Sequence, residues 1–149
     1  MKEFSNSENL RGQLEKGIQT IATNVASTLG PKGRTVILHQ KGKMPIATKD
    51  GVTVAKFIDL ENSFQNAGAQ IVKQAAEKTN QEAGDGTTTT TVLTYAMYRE
   101  AQKYLASGAA PVELKKGMDL AVDYLVNQIK DQATPIKSID DIESIATIS

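Results

Sequence analysis

Residues 83–93 read Ala-Gly-Asp-Gly-Thr-Thr-Thr-Thr-Thr-Val-Leu, so one carboxylate lies between two glycines and is followed by five threonines. The glycines on either side of Asp85 can adopt positive φ and have no Cβ to obstruct a ligand. The apolar pattern of a helix then begins at Val92, and Asp85 is well placed to cap that helix. The stretch therefore predicts a tight turn leading into a helix.

Two interpretations of this helix start remain open. Asp85 is only a cap and the threonines are tolerated, or the site binds phosphate. In the second case the unpaired N–H groups and the positive end of the helix dipole attract the anion. The threonine hydroxyls add donors, and Asp85 holds a Mg²⁺ ion bound to the same phosphates. Five threonines cost a helix roughly 0.5 kcal/mol each relative to alanine, which favours a role for their hydroxyls.

Composition excludes several classes of protein. The chain has 149 residues, 40% apolar and 23% charged, which is ordinary for a globular domain with a core. Lys plus Arg and Asp plus Glu both number 17, so no bulk positive charge favours nucleic acid. There is no cysteine, and the single histidine, His39, is interpreted as a surface strand residue and not as a metal ligand.

The sequence has no apolar run near the ~20 residues of a membrane span. Its start, Met1–Ser5, lacks the apolar and arginine-rich patterns of targeting segments. We therefore expect a cytoplasmic protein with no membrane partner.

Apolar periodicity predicts a mainly α fold with a small β-hairpin. A helix capped at Ser7 and ended by Gly30-Pro31 has one apolar face made of Leu10, Leu14, Ile18, Ile21, Val25 and Leu29. Residues 35–38 predict a buried strand, residues 45–48 its return strand, and residues 52–60 a short helix.

Three longer helices and a last one are predicted after the hairpin. The first covers residues 62–82, with Phe64, Ala67, Ile71, Ala75 and Lys78 on one face and small residues at 67–69 that allow close approach of another backbone. The next covers 92–108, and another starts at Pro111. Its apolar stripe is Leu114, Met118, Val122, Leu125 and Ile129. Ser138–Asp141 is typical of the cap of a final helix.

Two further stretches have both structural and functional interpretations. Thr28–Arg34, TLGPKGR, is a normal helix stop, but it also exposes glycine-flanked backbone and two cations that could approach a phosphate. It lacks the P-loop spacing. Lys49-Asp50-Gly51 is a turn signal that also places a cation beside a carboxylate at a strand end.

Together these stretches resemble the type I chaperonins, the GroEL family. The match covers Leu10–Ser149 in the family's order and spacing, which is only the first quarter or so of a whole chaperonin. It is carried by Thr28–Arg34, Thr48–Val52, Gly68–Gln70, Ala83–Thr89, Leu114–Gly117 and Ala146–Ser149.

The resemblance implies a multihelical equatorial-domain half with a small hairpin. Residues 1–131 would be the N-terminal half of the ATP-binding equatorial domain, and residues 132–149 the start of the intermediate domain. The expected partners are identical subunits in a seven-membered ring, with Met1–Phe4 supplying one strand to a neighbour. The co-chaperonin and unfolded client proteins would bind through domains absent from this chain, whose end looks cut. The faces at 10–29 and 114–129 are then expected to be exposed.

The resemblance also implies the site. Asp50 is the expected catalytic residue, Lys49 lies by the phosphates with a potassium site in its neighbourhood, and Asp85 is the Mg²⁺ ligand. The remaining cofactor-binding residues wrap the nucleotide or donate to its phosphates: Thr28, Leu29, Gly30, Pro31, Gly86, Thr87, Thr88 and Thr89. Thr90 replaces the family's usual alanine and is expected to change packing only.

The function implied is that of an ATP-dependent protein-folding chaperonin subunit, with ATPase activity in the complete protein and none of note in this chain alone. The alternative is a helical structural or interaction module that keeps the chaperonin scaffold without ATPase activity. A third possibility is a small helical protein with an incidental threonine run.

Overall fold

The computed structural model describes residues 7–148, and within them the predicted mainly α fold with one hairpin is confirmed. The strand expected at Met1–Phe4 lies outside the described residues. The chain divides into two compact units, residues 1–99 and 100–149, with one helix, α4, running across the boundary. The elements are α1 (Ser7–Ala26), β1 (Val36–Leu38), β2 (Ile46–Thr48), α2 (Gly51–Phe57), α3 (Ser63–Ala83), α4 (Thr87–Ala106), α5 (Pro111–Gln132) and α6 (Ile139–Ile148). None of these helices is both long and apolar enough to cross a bilayer.

The core of the first unit forms where α1 packs on α3, with α2 and the hairpin beside them. The predicted α1 face is confirmed at its centre, but Leu29 is 46% exposed. The helix ends at Ala26, earlier than expected, because the Thr28 N–H and hydroxyl both donate to the Val25 carbonyl and close its last turn. The buried side chains are Ile18, Ile21, Val25, Leu38, Val54, Ala55, Ala69 and Val72.

Two glycines allow α1 and α3 to cross with their backbones in contact. A Cβ built on Gly17 would lie 1.8 Å from the Gln65 carbonyl oxygen, and one on Gly68 would lie 2.2 Å from the Leu14 carbonyl oxygen. At the same crossing the Gln65 side-chain amide donates to Gln13 Oε1 at 2.6 Å. The close approach expected around residue 68 is therefore confirmed.

The face predicted for α3 is only partly packed, since Phe64 and Ala75 are half-buried. Ile71, placed on the packed face, is 52% exposed, and Ala67 and Lys78 are also exposed. The small residues of α3 form the contact with α1. The packed face is therefore rotated from the predicted face by one residue, about 100° around the helix. The buried residues are Gly68, Ala69, Val72, Lys73 and Ala76.

The hairpin pairs Val36 with Thr48, Ile37 with Ala47 and Leu38 with Ile46 in an antiparallel register. Only Leu38 is buried, whereas Ile37 is 72% exposed, so the prediction of a buried strand holds for one position. A two-stranded sheet alternates its side chains between two faces, and only one face of this sheet meets the core.

The helix α4 begins at Thr87, five residues before the predicted start at Val92. Two hydroxyls bond to carbonyls one turn back: Thr91 Oγ1 donates to the Thr87 carbonyl at 2.9 Å, and Thr94 Oγ1 to the Thr90 carbonyl at 2.8 Å. This back-bonding lets the threonines sit inside the helix with their hydroxyls satisfied.

In the second unit, Pro111 occupies the first turn of α5, as predicted. The expected cap of α6 is confirmed, because Ser138 Oγ accepts from the Asp141 N–H and Asp141 Oδ2 accepts from the Ser138 N–H. The α5 helix has no buried residue among those described. Of the two faces expected to be exposed, the one on α5 is exposed, whereas the one on α1 is packed against α3.

Candidate functional site

Asp50 is the N-cap of α2, with an extended backbone at φ −75° and ψ 118°. Its Oδ1 accepts from the Val52 N–H at 3.3 Å, and its Oδ2 accepts from the Thr53 N–H at 2.9 Å and from the Thr53 hydroxyl. The Asp50 N–H donates to Thr48 Oγ1 at 3.0 Å. Asp50 is thus held through its carboxylate by Val52 and Thr53 and through its backbone N–H by Thr48, although the residue is exposed.

The pKa of Asp50 lies below its ordinary value of 3.8. Partial burial is the largest single influence and raises the pKa, but the hydrogen bonds from Thr53 and Val52 and the charge of Lys56 together outweigh it. A carboxylate with a lowered pKa is an anion at neutral pH and a weak proton acceptor.

Gly51 brings the Asp50 turn against the start of α4. A Cβ on Gly51 would lie 2.1 Å from Thr88 Oγ1 and 3.3 Å from Val25 Cγ1, and Gly51 itself is buried. The turn after β2, the first turn of α4 and the end of α1 therefore meet at one point. Two of the three stretches identified in the sequence are brought into direct contact here.

Two glycines with positive φ form the turn between α3 and α4. Gly84, at φ 74°, ends α3 and donates its N–H to the Asn80 carbonyl at 3.0 Å. Gly86, at φ 84°, donates its N–H to Asp85 Oδ1 at 2.6 Å. Gly86 directly precedes Thr87, so it and not Asp85 stands at the N-cap position. Asp85 is exposed at the mouth of the turn.

The threonines that follow differ in exposure. Thr87 is buried, Thr88 is half-buried against Gly51, and Thr89 is exposed. The Thr90 hydroxyl forms a 2.9 Å hydrogen bond with the hydroxyl of Thr79 on α3. Thr90 therefore adds a specific polar contact, and the expectation that it changes packing alone is wrong.

The loop after α1 is closed by its own backbone. The Gly33 N–H donates to the Gly30 carbonyl and the Arg34 N–H to the Ser27 carbonyl, both at 2.8 Å. Gly30 has φ 73°, and Leu29, Gly30 and Pro31 are exposed. Val25 connects this loop to the point where α1, α4 and the Asp50 turn meet, because the Thr28 hydroxyl donates to the Val25 carbonyl. Lys49 is exposed directly after β2.

The described residues hold no group of three or more His, Cys, Asp or Glu side chains suited to a metal ion. A single carboxylate such as that of Asp85 suits Mg²⁺, because this ion binds proteins through one or two carboxylates and takes most of its ligands from water and phosphate. The donor set is hard oxygen, as Mg²⁺ requires.

Known proteins resemble this chain along nearly its whole length. The sequence profile described as the TCP-1/cpn60 chaperonin family matches residues 21–149. The chain belongs to this family. It is 50% identical over 148 residues to Chaperonin GroEL, chloroplastic, of Cyanidioschyzon merolae, which identifies it as a type I chaperonin portion. The match covers 99% of this chain and 28% of that relative.

A solved chaperonin also has this fold. The crystal structure of the chaperonin gp146 from the bacteriophage EL 2 (Pseudomonas aeruginosa), in the presence of ATP-BeFx, superposes with a TM-score of 0.76 at 27% identity. The alignment covers 87% of this chain and 22% of that one. The chain thus spans about a quarter of the length of the chaperonins that it matches.

Three residues at this candidate site are not among those expected from the sequence. Thr53 holds the Asp50 carboxylate, and its position three residues after an Asp is the available signal for such a cap. The sequence marks Gly51 as part of a turn and of the Thr48–Val52 motif, but not its contact with Thr88, which joins the motifs. No sequence pattern marks Thr79, because its hydrogen bond to Thr90 depends on the packing of α3 and α4.

Proposed function

We propose that this chain binds Mg²⁺-ATP and forms the N-terminal part of the nucleotide site of an ATP-driven protein-folding chaperonin. One observation carries the proposal: Gly51 lies against Thr88, which places the Asp50 turn beside the Gly-Asp-Gly-Thr helix start. A carboxylate, a helix N-terminus and a glycine turn then converge, as phosphoryl transfer needs. The related phage chaperonin was crystallised in the presence of ATP-BeFx, which supports this reading.

The first turn of α4 is proposed to bind the phosphates. Its N–H groups at Thr87–Thr89 lack partners within the helix and carry the positive end of the dipole. The threonine hydroxyls at 88 and 89 add donors, and Gly86 lets an oxygen approach the backbone closely. The loop Thr28–Pro31, which is exposed from Leu29 onward, is proposed to lie along the rest of the nucleotide.

Asp85 is proposed as the Mg²⁺ ligand. It is the carboxylate between the two positive-φ glycines, exposed directly ahead of the phosphate donors. The bound ion would neutralise charge that develops on the phosphates during transfer. A potassium site near Lys49 is a lesser part of the same proposal.

Asp50 is proposed to act as a fixed anion and not as the proton acceptor. Its lowered pKa and its bonds to Val52 and Thr53 suit a group that orients water or a cation through its charge. A general base would need a pKa nearer to the working pH.

For assembly, we propose identical subunits in a seven-membered ring, with co-chaperonin and client proteins bound through further domains. The resemblance to chaperonins is also the reason for proposing that the equatorial domain ends at residue 131 and the intermediate domain begins at residue 132. Within the described residues the hairpin is a two-stranded sheet whose outer edges pair with no other strand, and it exposes the apolar side chains of Ile37, Met44 and Ile46, features that favour pairing with another chain. The proposed compartment is the cytoplasm. The relative from Cyanidioschyzon is chloroplastic, so fractionation should compare both locations.

The alternative function is a scaffold module that retains the fold without hydrolysing ATP. One observation favours it: the Asp50 carboxylate is already engaged as a helix cap. Such a module would keep the rings but show no nucleotide turnover.

The experiment that separates the two is Asp85→Ala in the complete protein. We expect loss of Mg²⁺-ATP hydrolysis with an unchanged circular dichroism spectrum. The matched control is Asp59→Ala, which removes another exposed carboxylate, just beyond the C-terminal end of α2, and should leave turnover unchanged. Normal turnover in the Asp85 variant would contradict the proposed function.

A further inference from the structure

The hydroxyls of Thr79 and Thr90 connect the two helices on either side of the Asp85 turn. Their oxygens are 2.9 Å apart, and both side chains are half-buried. Thr79 lies near the end of α3 and Thr90 in the first turn of α4. The bond therefore closes a loop in which the turn containing Gly84 and Gly86 is the only segment outside the two helices.

The direction of this hydrogen bond follows from a neighbouring one. The Thr79 hydroxyl also lies 3.1 Å from the Ala75 carbonyl, which can only accept. A hydroxyl has a single proton, so Thr79 donates to Ala75 and accepts from Thr90. The chain of donors runs from Thr90 through Thr79 to the backbone of α3.

The other branch of the Thr79 side chain, its methyl group, faces Gly86 in the turn. A Cβ placed on Gly86 would lie 3.8 Å from Thr79 Cγ2, which puts the threonine methyl at van der Waals distance from that position. Because β-branched side chains are stiff at χ1, the hydroxyl and the methyl are fixed together. One side chain thus holds the helix start through Thr90 and directs its methyl toward the glycine that precedes that helix.

From this geometry we infer that Thr79 and Thr90 are positioning residues for the nucleotide site, an inference that rests on the proposed ATP-binding function. Glycine is the most flexible residue, and two of them flank Asp85. The Thr79–Thr90 bond limits the separation of α3 from α4 and so fixes where Asp85 and the Thr87–Thr89 donors point. Neither threonine needs to touch the nucleotide to do this.

The test uses Thr90→Val and Thr79→Val, which keep the shape and remove the bond. In the nucleotide-free protein we measure amide hydrogen exchange at Gly84 and Thr90, whose N–H groups bond to the Asn80 and Gly86 carbonyls. Each valine variant should raise exchange at both amides roughly three- to tenfold, the range for losing one ordinary hydrogen bond. The double variant should show no larger effect than either single one.

The controls separate this link from general loosening. Thr90→Ser keeps the hydroxyl and should restore slow exchange, whereas Thr79→Ser keeps the bond but lacks the methyl under Gly86. Thr94→Val removes a hydroxyl of the same helix that bonds only within α4, and it should leave Gly84 unchanged. Unchanged exchange in both valine variants would overturn the inference, whatever the nucleotide results.

Nucleotide affinity is the second readout, with Asp85→Asn as the reference. We expect Thr90→Val to weaken Mg²⁺-ATP binding roughly three- to tenfold and Thr90→Ser to restore it. If Asp85→Asn weakens binding but Thr90→Val does not, the positioning role is overturned and the proposed function stands. If neither variant changes binding, the proposed function fails and the positioning role fails with it.

Discussion

Gly51 and Thr88 touch so closely that no side chain fits between them, since a Cβ on Gly51 would lie 2.1 Å from the Thr88 hydroxyl oxygen. This contact joins a turn and a helix start that are distant in sequence. It is the structural reason for treating Asp50 and Asp85 as parts of one site.

The first prediction concerns that contact. Gly51→Ala should force the Asp50 turn away from α4, costing about 1–3 kcal/mol of folding stability and weakening nucleotide binding. Chemical denaturation and ATP titration measure the two effects. Gly12→Ala is the matched control, because a Cβ there meets nothing within 4 Å and should be neutral or stabilising. Equal behaviour of the two variants would contradict the close contact.

The crossing of α1 and α3 gives a second prediction. Gly68→Ala places a Cβ against the Leu14 backbone, which cannot move as a flexible side chain could. We expect a loss of at least about 2 kcal/mol in denaturant unfolding, with weakened packing around Ile21 and Val72. Gly117→Ala, at an open position on α5, serves as the comparison and should not destabilise the protein.

A third prediction separates the charge of Asp50 from its cap. Asp50→Asn leaves one acceptor oxygen in place of two, so it should keep the cap to the Thr53 N–H and lose the longer bond from the Val52 N–H. Asparagine still caps helices about as well as aspartate. Stability at pH 7 should therefore change little, while ATP hydrolysis in the complete protein falls. Full hydrolysis by this variant would remove Asp50 from the mechanism and favour the scaffold alternative.

The pH dependence of Asp50 is the fourth prediction. Because its folded pKa is depressed below 3.8, it stabilises the fold above the unfolded pKa. That contribution is lost as the pH falls through the lower, folded value. Thr53→Val removes the largest of the causes that lower the pKa, so the Asp50 carboxyl should titrate at a higher pH. Carboxyl NMR titration of both proteins measures this, and an unchanged titration would contradict the assigned cause.

Local signals in the sequence predicted much of the fold. The centre of the α1 face, Pro111 and the Ser138 cap depend on neighbours in the chain, and each is found as expected. Ile71 was misplaced because the packed face of α3 is decided by its fit to α1. The start of α4 was misplaced because hydroxyl back-bonding offsets the poor helix propensity of threonine.

The candidate site was predictable in its parts but not in its arrangement. The motifs at 28–31, 49–51 and 85–89 each allowed a plain structural interpretation, and only their resemblance as a set pointed to a nucleotide. The contact of Gly51 with Thr88 is tertiary, so no spacing in the sequence could predict it. The Thr79–Thr90 bond could not be predicted for the same reason.

The most direct test of the ATP site is an NMR titration of this 16.0 kDa chain with ATP in the presence and absence of Mg²⁺. We expect weak binding and negligible turnover, because the chain covers about a quarter of its chaperonin relatives. Even so, the amides of Gly51 and Gly86–Thr89 should shift with ATP, and Asp85→Asn should abolish the part of the shift that depends on Mg²⁺. Shifts confined to another surface, or identical Mg²⁺ dependence in the Asp85 variant, would contradict the account.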